Sequence, residues 1–271
     1  LMKKVNLRLL GSVFSVAVFA QQSNADKKTF VVSANQIKAH VEPTMYGIFF
    51  EDINMAADGG VYAELVKNRS FEFNNNLMGW TEQKKNGGDG TTEVVNRAAE
   101  RPEHAHTLTL SVKSNTGSYG LANEGFRGMG IKKGETYSFS LLARQHKGSK
   151  IKLHVELADP KGDIIGQADL IPTDLGWKRY NVKFTANATV NKAHLNVWAK
   201  NAGSIDMDMI SLFPVHTWKN RPGGLRADLV QKLADLHPGF LRFPGGCIVE
   251  GRDLANRYQW KKSIGGIDKR E

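Results

Sequence analysis

Between about Leu77 and Pro214 the chain repeats one pattern that few folds can absorb. Short runs alternate apolar and polar side chains, and turn-forming clusters separate them. Residues 107–112 (TLTLSV), 137–143 (YSFSLLA), 151–157 (IKLHVEL), 178–184 (KRYNVKF), 194–198 (HLNVW) and 204–212 (SIDMDMISL) all read this way. Turn chemistry stands between them at Lys132-Lys133-Gly134-Glu135, Asp159-Pro160-Lys161-Gly162-Asp163 and Asp174-Leu175-Gly176. A period of two sends successive side chains to opposite faces of a strand. Many short strands with one apolar face each can only bury those faces against one another, so residues 76–214 are expected to form an antiparallel β-sandwich.

The flanks follow a different rhythm. Residues 30–32 and 37–41 read as strands, and residues 46–50 (YGIFF) as a denser apolar strand that ends in Glu51-Asp52. Residues 61–66 are spaced as a helix, so the unit is strand, acidic loop, helix. A carboxylate placed directly after a buried strand is costly to leave unpaired. Glu51 is therefore either held by a cation such as Arg242 or used on a ligand. Past the sandwich, residues 225–236 form an amphipathic helix with Leu225, Leu229, Leu233 and Leu236 on one face, ended by His237-Pro238-Gly239. That helix leads into residues 240–251, FLRFPGGCIVEG, a short apolar strand delivering a loop bent at Pro244-Gly245-Gly246. The carboxyl ends of strands are where α/β folds meet their ligands, which brings Arg242, Cys247 and Glu250 toward a pocket.

Composition narrows the partners. Of the formal charge of +10 in 271 residues, the first twenty and the last twenty residues contribute +3 each, leaving +4 across everything between. That is a solvated surface, not a nucleic-acid stripe. Lys3, Lys4 and Arg8 precede an apolar run through Ala20 that is too short to span a bilayer. Residues 1–20 are expected to be a secretory signal peptide cleaved after Ala20, with an exported product that has left the membrane. Cys247 is the single cysteine, so no internal disulfide can form.

Residues 46–73 (YGIFFEDINMAADGGVYAELVKNRSFEF) and 240–251, with Trp260-Lys261-Lys262-Ser263-Ile264-Gly265 after them, closely resemble the α-L-arabinofuranosidases of glycoside hydrolase family 51. The resemblance covers the acidic loop, the Asn68-Arg69-Ser70-Phe71-Glu72 tail, the double glycine and the cysteine, in that order. It implies an α/β plus all-β chain: the start of a (β/α)8 barrel over residues 27–75, interrupted by a jelly-roll insert like a carbohydrate-binding module over 76–214. The barrel resumes over 215–271 and is incomplete in this chain. The resemblance further implies a retaining enzyme that removes terminal arabinofuranosyl groups from arabinose-containing polysaccharides, with no cofactor. Glu51 matches the pocket carboxylate that hydrogen-bonds sugar hydroxyls, Arg242 the arginine that supports the catalytic carboxylate, and Cys247 the pocket position after the double glycine. The acid/base, which the family carries in an Asn-Glu pair, and the nucleophile are expected beyond Glu271. Asn123-Glu124 falls in the sandwich and is the wrong element. No catalytic residue is thus assigned within the chain, which alone is expected to be inactive, and the oligomeric state of the whole enzyme is left open.

Several other residues carry alternatives. Trp80, Trp177 and Trp198 are candidates for stacking on sugar rings, with core packing as the competing reading. Asp206 and Asp208 read as a solvent-facing pair, with calcium coordination as the alternative, while His104 and His106 read as surface-strand residues, and no metal site is assigned. Asn68-Arg69-Ser70 and Asn187-Ala188-Thr189 are glycosylation sequons. A secreted, non-catalytic carbohydrate-binding sandwich is the alternative function, though it leaves the strand-loop-helix units unexplained. A cysteine hydrolase would need a histidine base beside Cys247, and His237 lies at the opposite end of the same strand.

Overall fold

The computed structural model describes residues 29–267 and Arg270, so the signal peptide expected over residues 1–20 lies outside the described residues. The chain divides after Glu42 into two units. In residues 29–42 the expected strands do not form. A turn closed by the Gln36 N–H on the Ser33 carbonyl (3.0 Å) separates two extended runs, and Phe30, Val31 and Ile37 are more than four-fifths exposed. A strand is stable only with a ladder partner, and these two runs do not pair with each other.

From Pro43 onward the elements are β1 (Ile48–Phe49), β2 (Trp80–Lys85), β3 (Gly90–Asn96), β4 (His106–Val112), β5 (Ser118–Asn123) and β6 (Met129–Ile131). They continue as β7 (Thr136–Gln145), β8 (Lys152–Ala158), β9 (Ile164–Leu170), β10 (Lys178–Thr185), β11 (Val190–Lys200) and β12 (Gly203–Pro214), then helix α1 (Ala227–Asp235), β13 (Leu241–Arg242) and helix α2 (Cys247–Glu250). β2 to β12 build the expected sandwich. One sheet runs β10-β7-β12-β4-β3, the other β2-β5-β11-β8-β9 with β6 added on β11, and every pairing in both is antiparallel.

The alternation seen in the sequence is what closes the core. Leu108 and Leu110 of β4, Phe139 and Leu141 of β7, and Ile205 and Met207 of β12 face Leu121 of β5, Leu153, Val155 and Leu157 of β8, and Leu195 and Val197 of β11. Each of these side chains is at most 1 % exposed. Full burial of a side chain of this size contributes roughly 1.5–3 kcal/mol, so this double layer is the main source of stability.

Residues 61–66 are not helical, and the reason is tertiary. The Ala63 N–H donates to the Gly224 carbonyl (3.2 Å) and the Leu65 N–H to the Leu212 carbonyl (3.0 Å). β12 slips register between Asp208 and Ser211, which frees backbone groups there. The Ile210 N–H is taken by the Arg69 carbonyl (2.9 Å) and the Leu212 N–H by the Glu64 carboxylate (2.9 Å). Satisfying a buried strand outweighs the weak helical preference of six residues.

α1 forms two residues later than the sequence pattern suggests, because Leu225 is engaged in a bridge with Tyr62. Its inward positions are Val230, Leu233 and Ala234. Together with Ile48, Phe50, Leu241 and Phe243 they border a hollow of about 1220 Å³. Among the described residues no helix is long and apolar enough to cross a membrane.

Candidate functional site

β1 and β13 lie side by side and parallel, Ile48 opposite Leu241 and Phe49 opposite Arg242, although 193 positions separate each pair in the chain. The ladder continues past the strands. The Phe50 N–H donates to the Arg242 carbonyl (2.9 Å) and the Asp52 N–H to the Pro244 carbonyl (3.3 Å). This register delivers Glu51 to the double glycine. A Cβ on Gly245 would stand 2.6–2.7 Å from Cγ, Cα and Cβ of Glu51, and one on Gly246 would stand 3.3 Å from its Oε1. Gly245 also has φ +134°, a conformation side chains disfavour. Both glycines are therefore the floor on which the Glu51 carboxylate rests. Asp52, beside it, accepts the Ala57 N–H (3.2 Å) and closes the acidic loop.

Arg242 does not pair with Glu51. Its guanidinium lies 4.9 Å from the centre of the Phe49 ring, and the residue is exposed. Glu51 is half-buried and has no ion-pair partner among the described residues. Of the two roles open to it from sequence, the cation partnership is thus not made. Cys247 is exposed at the start of α2, with Gly246 as the preceding cap position. Glu51 thus meets Gly245 and Gly246 at the rim formed by the carboxyl ends of two parallel strands, with Arg242 on β13 before the double glycine and Cys247 directly after it.

The tryptophans separate. Trp80 is a core residue, 6 % exposed, tilted against Phe71 and donating its indole N–H to the Asn68 carbonyl (3.0 Å). It offers no ring face to a sugar, because it closes the end of the sandwich. Trp177 is half-buried beneath the guanidinium groups of Arg101 and Arg144, 4.9 and 4.8 Å from its centre. Trp198, on the outer face of the six-stranded sheet, is 6 % exposed; Lys85 Nζ stands 5.7 Å above it and its N–H donates to Glu156 (2.8 Å). Glu156 also meets His154 (3.2 Å), which meets Asp169 (2.6 Å). His154 and Glu156 alternate with Leu153, Val155 and Leu157, so their outward placement could be read from the sequence, but their joining to Trp198 on another strand could not.

Asp206 and Asp208 do not face solvent. Asp206 is 1 % exposed and accepts from Thr109 Oγ1 (2.6 Å), Arg144 Nε (2.9 Å) and Arg97 Nη2 (2.9 Å), with His146 Nε2 at 2.9 Å. Burial pushes its pKa up, but these partners outweigh burial and hold it below the usual carboxylate range. Asp208 is fully buried against Arg101 (2.6 Å), and there burial wins, pushing it up to about 7. The loop between β3 and β4, which carries Arg97 and Arg101, folds over the sheet and covers both. Arginines fill the places where metal-ligating carboxylates would be required; among the described residues no group of three candidate ligands is assembled.

His106 lies beside Glu72 (2.6 Å), and His104 is buried. Asn68 is 5 % exposed and donates to the Asn76 and Met78 carbonyls (2.8 and 3.3 Å), so that sequon is occupied by structure, whereas Asn187 is exposed. Asn123 holds both the N–H (3.1 Å) and the carbonyl (2.9 Å) of Lys67, which makes the Asn123-Glu124 pair structural. Glu64 went unremarked in the sequence. It is 2 % exposed, paired with Arg69 (3.1 Å), and its pKa is raised by burial.

The chain matches the family described as "Carbohydrate binding domain" over residues 63–204 and that described as "Alpha-L-arabinofuranosidase 1 domain" over residues 232–271. It is 42 % identical over 251 residues to an extracellular exo-α-L-arabinofuranosidase of Streptomyces chartreusis, covering 86 % of this chain and 29 % of that protein. It is 34 % identical over 282 residues to α-L-arabinofuranosidase 1 of Arabidopsis thaliana, covering 97 % and 41 %. Among solved structures, an arabinose-bound glycoside hydrolase family 51 α-L-arabinofuranosidase superposes with a TM-score of 0.76 at 33 % identity, over 84 % of this chain and 38 % of that one. The chain thus spans well under half the length of these relatives.

Proposed function

This chain belongs to the carbohydrate-binding domain family through residues 63–204 and is related over most of its length to α-L-arabinofuranosidases of glycoside hydrolase family 51, and from that premise we propose that it is the N-terminal part of such an enzyme. The observation that carries the reading is the register of β1 on β13, which seats Glu51 on Gly245-Gly246, in the loop that runs from Arg242 to Cys247. In this reading β1 and β13 are the first two strands of a (β/α)8 barrel and α1 belongs to its helical layer. Residues 76–214 are an insert between the first two βα units. The exposed apolar side chains of Phe49, Leu241 and Phe243 and the hollow beside α1 support it, because strands of a closed barrel bury both faces.

The rim supplies binding, not bond cleavage. Glu51, half-buried and free of a cation, accepts hydrogen bonds from hydroxyls of a terminal arabinofuranosyl group in an arabinose-bearing polysaccharide. Arg242, whose guanidinium stands over Phe49, is placed to steady a carboxylate arriving from a neighbouring strand. Retention requires a nucleophile and an acid/base about 5–5.5 Å apart. Neither Glu51 nor Glu250 is assigned to either role, and both carboxylates are placed on later strands. The extracellular name of the Streptomyces relative and the apolar run before Ala20 support an exported enzyme.

The test uses a full-length relative. Glu51→Ala at the matching position is expected to cost several kcal/mol of transition-state binding, roughly 2–4, seen as a fall of about 30- to 1000-fold in kcat/KM on an aryl arabinofuranoside. A change under about threefold would reassign Glu51 to structure. Residues 21–271 alone are expected to release no product, and turnover above background would place the missing carboxylates within this chain.

A further inference from the structure

Trp198, the aromatic residue most central to the outer face of the six-stranded sheet, is closed off by Lys85 and bound to Glu156. That leaves a family member with a carbohydrate-binding sandwich whose central tryptophan offers no open ring. An open cleft of about 900 Å³ lies elsewhere, where β6 and the start of β7 meet the linker after β12 and the outer side of α1.

Its chemistry is that of a sugar site. Tyr62, Phe126 and Trp218 line it and each is half-buried, Tyr62 being steadied by Phe213 and Arg69. Aromatic faces bordered by a few convergent polar groups are how concave sites hold pyranose and furanose rings. Gln231 and Asp235 are two such groups: the Gln231 side-chain oxygen accepts the Trp218 indole N–H (3.2 Å) and its amide nitrogen donates to Asp235 (2.7 Å), a chain that fixes the ring. The charges in the lining nearly cancel, since Glu135, Asp228 and Asp235 stand among Lys132, Lys219, Arg226 and Lys232, while Glu64 is turned inward onto Arg69. A phosphate or polyanion would call for an excess of cations, whereas a neutral polyhydroxyl chain is served by donors and acceptors of both signs. At Gly130 of β6 an added Cβ would meet nothing within 4 Å, so this part of the wall is open space held by the absence of a side chain.

We propose that the seam cleft lined by Tyr62, Phe126 and Trp218 is a second carbohydrate-binding site, separate from the Glu51 rim, which takes a neutral stretch of polysaccharide. It holds the polymer at the junction of the sandwich and α1 while a side-chain sugar is presented elsewhere. Lys219, whose Nζ stands 4.4 Å from the Trp218 ring centre, is exposed and makes no salt bridge among the described residues, whereas Lys85 over Trp198 is tied to Glu156 (3.5 Å); Lys219 therefore gives way to the incoming ring. The assignment rests on the reading of this chain as part of a glycan-processing enzyme, but it is tested without hydrolysis.

The experiment titrates the full chain with xylohexaose and, separately, with α-1,5-linked arabinohexaose by calorimetry, which distinguishes a xylan backbone from an arabinan backbone as the occupant. At least one is expected to bind saturably. Gly130→Leu, which fills the cleft from a strand position with room for it, is expected to weaken binding by about tenfold or more while leaving the melting temperature unchanged; Trp218→Ala is expected to do the same to binding. Absence of saturable binding to both sugars overturns the proposal, as does binding that survives Gly130→Leu and is lost in Trp198→Ala, which would put the site on the sheet face. Hydrolysis by a full-length relative reads the Glu51 rim alone, so the two readings fail separately.

Discussion

Asp206 lends itself to a sharp test, because its sequence context reads as solvent while its surroundings in the fold are a buried hub. Asp206→Ala removes one carboxylate and strands four charged or polar partners: Thr109 on β4, Arg144 on β7, His146 just past β7 and Arg97 beyond β3. Breaking a buried ion pair from one side costs about 3–5 kcal/mol, because the remaining charge is left uncompensated. Here the side chains of Arg97 and Arg144 are 22 % and 21 % exposed and rehydrate in part, which favours the lower end, about 3 kcal/mol. For a domain of this size that corresponds to a drop in Tm of roughly 6–12 °C. Urea denaturation of the chain, followed by tryptophan fluorescence and circular dichroism, measures it. A loss below about 1 kcal/mol, the range of a surface ion pair, would refute the argument that the carboxylate is the buried anchor of the β3–β4 loop.

Asp208 has the opposite sign. Its folded pKa of about 7 lies above the 3.8 of a free aspartate, so the folded state binds the extra proton. Its contribution to stability is full below about pH 4 and is lost as pH rises through about 7. Asp208→Asn should flatten the stability profile across that window, and an unchanged slope there would reject the assignment. Gly245→Ala, in a full-length relative, is expected to push Glu51 off the rim and lower kcat/KM by about a hundredfold, as small misplacements do; activity within about threefold would show that the loop yields instead. Expression in a glycosylating host should modify Asn187 and leave Asn68 bare, which peptide mass mapping reads directly; a glycan on Asn68 would mean that its buried hydrogen bonds are not formed.

The two sheets were legible because alternation is a local signal: every other residue of β4, β7 and β8 declares its face without reference to a partner. α1 was legible for the same reason, apart from its first residues. What failed did so where a partner elsewhere in the chain decided the outcome. Residues 61–66 have a helical pattern, but unpaired groups at the slip in β12 recruit them as extended backbone and draw Glu64 inside. Asp206 and Asp208 alternate as a polar face should, yet a loop from between β3 and β4 covers that face with arginines. Trp80, a stacking candidate for which core packing is the competing reading, is a core residue because Phe71 and Asn68 surround it.

From sequence alone came the kind of chain this is: an antiparallel sandwich set between a strand ending in Glu51 and a strand ending in a double glycine. Side-chain period, turn chemistry and the residue types at each strand end are written in neighbouring positions. Only the tertiary structure decided which distant groups meet. It put Glu51 on Gly245, left Arg242 over Phe49, closed Trp198 under Lys85 and opened the cleft beside Trp218. Those contacts depend on register and docking between segments far apart in the chain, where the energy of a whole interface, and not the preference of any one residue, selects the partner.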